Sequence, residues 1–158
     1  MAGNLLVTNI GQLVTNNPAL DKGLLGILAE AAVVIEQGVV SWVGSSVDLP
    51  GGIADMPEID CGGAAVLPGF VDSHTHLAFA GDRADEFGRR LRGESYEAIM
   101  AAGGGIQSTV TATREASLAD LTAATLARLE RMLAAGTTTV EVKSGYGLDV
   151  DSELRLLD

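Results

Sequence analysis

The first part of the chain alternates short apolar runs with turn residues. Apolar runs at residues 5–10, 32–36 and 39–44 have the length and β-branched content of strands. The Gln37-Gly38 pair separates the last two runs, and its glycine can adopt the positive φ of a two-residue hairpin. This pattern predicts an all-β segment over residues 1–65.

The second part of the chain changes to alternating strand and helix patterns. An apolar run predicts a strand at residues 67–77, and Ser95 is a candidate cap for a short helix. Ser117 opens a longer helix, and a β-branched run at 137–142 predicts the next strand. The helix that begins at Ser117 has a stripe of residues at helical spacing: Leu118, Leu121, Thr125, Leu129 and Met132. This order predicts parallel βαβ units and an α/β fold over residues 66–158.

Composition narrows the classes of partner. Hydrophobic residues make up 47% of the 158 residues, and ten basic against 21 acidic residues give a formal charge of −11. That charge argues against binding to nucleic acid or to an anionic membrane. The single cysteine, Cys61, excludes an internal disulfide and is compatible with a reducing compartment. Neither a signal peptide nor an apolar run of about 20 residues is present, so we expect a cytoplasmic protein.

The only two histidines, His74 and His76, follow the apolar run that predicts the first strand of the second part. Side chains two residues apart on a strand point to the same face, so both imidazoles can converge on one metal ion. Zinc and iron both accept imidazole ligands. The alternative is a pair of polar strand-end residues bonded to the backbone.

Five segments of the chain carry a resemblance to a known family. The segment 67–76 is similar to the first barrel strand of the amidohydrolase superfamily, whose members are metal-dependent hydrolases. The other four resemble imidazolonepropionases within that superfamily, in the same order along the chain, at residues 79–87, 93–99, 103–110 and 136–148. The resemblance implies metal ligation by His74 and His76.

This resemblance also implies a fold. The fold class is α/β, the start of a (β/α)8 barrel preceded by a small N-terminal β-sandwich segment. Such a barrel needs roughly 250 residues, more than the 158 present. The last residues, 151–158, have the pattern of a helix without a stop signal. We therefore expect the N-terminal portion of a longer enzyme.

The resemblance implies roles for three residues in substrate binding. Arg83 is expected to bind a substrate carboxylate through its planar guanidinium, although a loop arginine can also be a solvated charge. Tyr146 and Tyr96 are expected to contact substrate, although either could instead be a packing residue. For Lys143 the alternatives are a carboxylated metal bridge and an ion pair with Glu141 on the same strand face, and we favour the ion pair.

The function implied is metal-dependent hydrolysis of the cyclic C–N bond of 4-imidazolone-5-propanoate to N-formimidoyl-L-glutamate, in histidine degradation. The cofactor would be one zinc or iron ion, and the full-length enzyme is expected to be a homodimer. The isolated chain should be inactive, because a third histidine is lacking. Two alternatives stay open: another amidohydrolase acting on a cyclic amide or a small heterocycle, and a non-catalytic half-barrel interaction module.

Overall fold

The computed structural model describes residues 3–21 and 23–158. The chain divides into two compact units, Met1–Pro68 and Gly69–Asp158. Within the described residues, none of the helices combines the length and apolarity required to cross a membrane.

The first unit is a five-stranded sheet. Its strands are β1 (Leu5–Val14), β2 (Ile27–Glu36), β3 (Val39–Ser45), β4 (Glu58–Asp60) and β5 (Ala65–Val66), with a 3-10 turn at Ser46–Asp48. The strand order is β3-β2-β1-β4, and β5 also pairs with β1. The first three strands are antiparallel, whereas β4 and β5 run parallel to β1. The described residues of this unit form one sheet, so the sandwich with a second layer stays a prediction.

Two local features shape that sheet. Gln37 and Gly38 both have positive φ, at 54° and 81°, as a two-residue hairpin of the expected kind requires. Strand β1 continues past its predicted end because Gly11 lets two backbones approach: a Cβ there would lie 2.2 Å from the carbonyl oxygen of Gly63. The core of the unit contains Ile10, Leu13, Ala31 and Val33.

The second unit has two parallel strands and five helices. The strands are β6 (Phe70–Thr75) and β7 (Thr137–Val142); the helices are α1 (Ala84–Leu91), α2 (Tyr96–Ala101), α3 (Ile106–Glu115), α4 (Leu118–Ala134) and α5 (Val150–Arg155). Because β6 and β7 pair in parallel, the predicted βαβ connection is confirmed. Both predicted caps are present: Ser95 Oγ accepts from Ala98 N at 3.2 Å, and Ser117 Oγ accepts from Asp120 N at 3.1 Å.

The final helix ends earlier than the sequence pattern predicted. Helix α5 stops at Arg155, and Leu156 N–H then bonds to Glu153 O at 3.2 Å in a tightened last turn. Leu156 is buried with Ala78 and Leu121 in the core of this unit.

Candidate functional site

The predicted metal ligands lie at the carboxyl end of β6. His74 is in the strand and His76 follows it, and their ring centroids are 5.3 Å apart in an edge-on arrangement. Asp72 Oδ1 accepts the His74 backbone N–H at 3.1 Å, which restrains the strand end. Two imidazoles bound to one zinc ion, with bonds of about 2.0–2.1 Å, would have centroids about 5 Å apart. The observed spacing fits a shared metal ion.

A second observation fits the same assignment. The Nδ1 atom of His76 is buried and has no hydrogen-bond partner among the described residues. Buried polar atoms are normally satisfied, so an imidazole nitrogen without a partner fits a group that still has a bond to make. Among residues 3–21 and 23–158, no three His, Cys, Asp or Glu side chains lie close enough together to hold a metal ion. The two imidazoles therefore supply only part of a ligand set, since a catalytic zinc site has at least three protein ligands.

Tyr146 joins the histidines from the loop after β7. Its ring centroid lies 5.8 Å from that of His76 and 5.4 Å from that of Phe79. We call His74, His76, Phe79 and Tyr146 the ring cluster. The close approach depends on Gly145, where a Cβ would lie 2.7 Å from both Cε1 and Nδ1 of His76. Because parallel strands end at the same edge, two sequence-distant segments meet there.

Arg83 is held by helix α3 and not by the ring cluster. It is the residue before α1, and its Nε donates to Thr109 Oγ1 of α3 at 3.1 Å. Thr109 is 4% exposed, so this bond ties the guanidinium to a buried partner. One turn later on α3, buried Thr113 accepts from Ala80 N at 3.1 Å. Helix α3 thus holds the loop after β6 at two points.

Tyr96 is the first residue of α2 and is 61% exposed. Neither Tyr96 nor Arg83 stacks on, or hydrogen-bonds to, the ring cluster within the described part of the chain. The structure therefore brings together three of the five predicted site residues, His74, His76 and Tyr146. The roles of all five stay predictions.

Lys143 forms the predicted ion pair with Glu141. Hydrogen bonding from Lys143, followed by its charge, lowers the pKa of Glu141, and His74 adds a smaller electrostatic contribution. An ammonium already paired with a carboxylate fits the ion-pair alternative for Lys143 better than a carboxylated metal bridge.

Sequence analysis missed one residue of this site, Arg128. Its Nη1 donates to Leu77 O at 2.9 Å and to Phe79 O at 2.8 Å, and its Cζ lies 3.6 Å from the Phe79 ring centroid. Burial, and secondarily Arg131, lowers the pKa of Arg128. A signal was available: Arg128 is seven residues after buried Leu121, so it lies on the core-facing stripe of α4, where a charged residue needs partners.

The fold is shared with solved hydrolase structures. A triazine hydrolase variant superposes with a TM-score of 0.61 at 18% identity, over 98% of this chain and 33% of the other. A prolidase complexed with N-methylphosphonate-L-proline gives 0.55 at 20% identity, over 89% and 26%. With the mixed α/β architecture, these neighbours place the chain in the class of proteins with the amidohydrolase fold, of which it contains a part.

Sequence comparison identifies a narrower similarity. The chain is 53% identical to the imidazolonepropionase of Paracoccus denitrificans over 146 residues, which is 92% of this chain and 36% of that protein. It is 52% identical to the imidazolonepropionase of Mycolicibacterium smegmatis over 153 residues, 97% of this chain and 37% of the relative. No family model matches. The resemblance to imidazolonepropionases is confirmed, and the chain spans just over a third of the length of these relatives.

Proposed function

We propose that the protein containing this chain hydrolyses the cyclic C–N bond of 4-imidazolone-5-propanoate to N-formimidoyl-L-glutamate. One observation carries the proposal: His74, His76 and Tyr146 converge at the carboxyl ends of parallel strands in a chain about half identical to imidazolonepropionases. In this proposal the second unit is the first part of a (β/α)8 barrel, and the first unit contributes to a β-sandwich.

His74 and His76 are the residues that would hold the metal ion, zinc or iron. When bound, such an ion supplies a Lewis acid and an activated water at neutral pH. The remaining ligands and the proton-transfer groups come from other parts of the protein, because the described residues offer two imidazoles and no third ligand close to them. The 158-residue chain alone should therefore be inactive, and turnover by the purified chain would contradict that expectation.

Substrate binding is assigned to Arg83, Tyr146 and Tyr96. The Arg83 Nε bond to Thr109 restrains the guanidinium plane, and the Nη groups are the donors suited to a propionate carboxylate. The Tyr146 ring lies beside His76, and in this proposal its hydroxyl binds substrate next to the metal ligands. Tyr96 is exposed enough to reach a ligand.

The test is a substrate comparison with the protein that contains this chain. Its turnover of 4-imidazolone-5-propanoate is measured beside a dihydroorotate, an N-acyl amino acid and guanine, with product mass as the readout. The proposal predicts formation of N-formimidoyl-L-glutamate and at least about a hundredfold lower kcat/KM for the other compounds, since none of them combines the imidazolone ring with a propionate arm. Preference for any other member of the set would contradict it.

Two further expectations accompany this proposal. The protein is expected to be cytoplasmic. It is also expected to be a homodimer, which light scattering of the protein would test.

A further inference from the structure

The peptide group of Gly147, next to Tyr146, is held from both sides by charged side chains. Glu153 Oε1 accepts the N–H groups of Gly147 at 2.8 Å and Leu148 at 2.7 Å. On the opposite side, Arg114 Nε donates to Gly147 O at 2.6 Å. Hydrogen bonds to charged groups are the stronger kind, so the two peptide units that meet at Gly147 are firmly anchored.

The two side chains that hold Gly147 are themselves connected. Arg114 is in α3 and Glu153 is in α5. Arg155 of α5 donates from Nη2 to Thr113 O at 2.8 Å and from Nη1 to Ala116 O at 3.3 Å, at the C-terminal end of α3. Carbonyls at a helix end have no partner within the helix, so these bonds satisfy them and fasten α5 to α3.

A further ion pair reinforces this arrangement. Arg114 Nη2 lies 2.9 Å from Asp149 Oδ2, and Asp149 caps α5 by accepting from Ser152 N at 2.8 Å. Gly147 also fits closely, because a Cβ there would lie 2.7 Å from Glu153 N. The segment 143–149, which we call the Tyr146 loop, is thus fixed at its middle and at its end.

The residues just before Gly147 make the closest contacts with a metal-ligand candidate. Gly145 lies against His76 so tightly that a Cβ would come within 2.7 Å of the imidazole. The Tyr146 ring contacts the same imidazole, at 5.8 Å between centroids. A shift of the Gly147 peptide would move both, since they are one and two residues away.

We propose that Glu153 and Arg114 are positioning residues, which hold the Gly147 peptide so that Gly145 and Tyr146 fix the orientation of the His76 imidazole. Any effect of these two residues on substrate hydrolysis rests on the proposed function, whereas their role in orienting the His76 imidazole does not. Neither side chain touches the ring cluster itself. Their effect passes through the backbone of the Tyr146 loop, which two helices hold rigid.

The test uses the fact that the chain has only two histidines. NMR spectra at constant pH of the chain with labelled histidine give two sets of ring signals, assigned by His74→Ala. Glu153→Ala and Arg114→Ala should each move the His76 signals in the direction that Tyr146→Leu moves them, and move those of neighbouring His74 by much less. Glu153→Gln, which keeps an acceptor oxygen, should restore the His76 signals toward the original. The control, exposed Asp151→Ala in α5, should move neither set.

Unchanged His76 signals in both alanine variants, or equal shifts of His74 and His76, would overturn the proposal. If Glu153→Ala does not fold, the His76 signals of Arg114→Lys test the proposal instead. This variant keeps a charge near Asp149 and loses the Nε bond to Gly147. This readout needs neither metal nor turnover. If the variants shift the His76 signals of the chain, and the protein that contains this chain does not hydrolyse 4-imidazolone-5-propanoate, the function is refuted and the positioning role stands.

Discussion

The Arg128 guanidinium lies over the ring of Phe79, with Cζ 3.6 Å from the ring centroid, and the same side chain bonds to the Phe79 carbonyl. Phe79 in turn contacts Tyr146, and Tyr146 contacts His76. A residue of α4 thereby supports the ring cluster from behind. Carbonyls beyond the end of β6 lack a neighbouring strand partner, and Arg128 satisfies two of them.

Replacing Arg128 with methionine should destabilise the chain. The change keeps the length of the side chain and removes its hydrogen bonds to the carbonyls of Leu77 and Phe79. Bonds to charged groups contribute about 1.5–3 kcal/mol each, so losing two of them should lower the unfolding free energy by at least about 1.5 kcal/mol, measured by urea denaturation. The exposed neighbour Arg131→Met is the matched control. An equal loss in both variants would show that the bonds of Arg128 are unimportant.

Gly145→Ala should disturb His76 through steric contact. The added Cβ would lie 2.7 Å from the imidazole, and φ at this position is 155°. We expect at least about a tenfold loss of metal affinity, equivalent to about 1.4 kcal/mol, in the protein that contains this chain. Titration with Zn²⁺ against a chelating dye measures it.

The control for Gly145→Ala is Gly93→Ala. Gly93 also has positive φ, at 88°, but has nothing within 4 Å of an added Cβ. It therefore reproduces backbone strain without any contact with a histidine. Similar metal affinities in the two variants would count against close packing of the Tyr146 loop on His76.

Local sequence signals were sufficient where one residue determines the geometry. The Gln37-Gly38 hairpin, the Ser117 cap and the β-branched strand β7 were predicted because a positive φ, a capping hydroxyl and β-branching each act locally. The Glu141–Lys143 pair was predicted from strand alternation alone.

Other features could not be predicted because long-range contacts determine them. Helix α1 is rich in charged residues and has no buried side chain, so it lacks an apolar stripe to detect. Helix α3 buries Thr109 and Thr113, polar residues whose partners lie in the loop after β6. The role of Arg128 depends on carbonyls about 50 residues away in sequence. Periodicity identifies a helix face, but it does not identify the partner of that face.

The role of Arg83 can be tested by changing either side of its proposed bond to the substrate: the arginine in the protein, or the carboxylate in the substrate. Arg83→Lys keeps the charge but loses the planar fork, so KM should rise at least about tenfold, since such bonds contribute about 1.5–3 kcal/mol. Metal content should not change. With a substrate analogue that lacks the carboxylate, Arg83→Lys should raise KM little further, because both changes remove the same interaction. Fully additive losses would show that Arg83 does not bind the carboxylate.

The first turn of α5 should loosen in acid. The backbone N–H of Ser152, then its hydroxyl, and more weakly Arg114 and Arg155, lower the pKa of Asp149 below its ordinary 3.8. A lowered folded-state pKa means that this contribution to stability is present above about 3.8 and is lost as pH falls through the folded value. Helix α5 should therefore open as the pH drops below 3.8, as seen by hydrogen exchange at residues 150–155.

Asp149→Asn provides the comparison for that pH dependence. Asparagine keeps the capping oxygen but does not titrate, so opening of α5 should depend less on pH in this range. Asp151→Asn, in the same helix, should keep the original dependence. If Asp149→Asn behaves like the original protein, another group governs the opening of α5 in acid.

The most direct test of the account is the metal content of the protein that contains this chain. Elemental analysis of purified protein should find about one zinc or iron per chain in the original and in Ser73→Ala, which changes the residue before His74 in the same strand. The double variant His74→Ala/His76→Ala removes both imidazoles, and its metal content should fall to background because too few ligands remain. Undiminished metal in the double variant would contradict the claim that these two histidines are metal ligands.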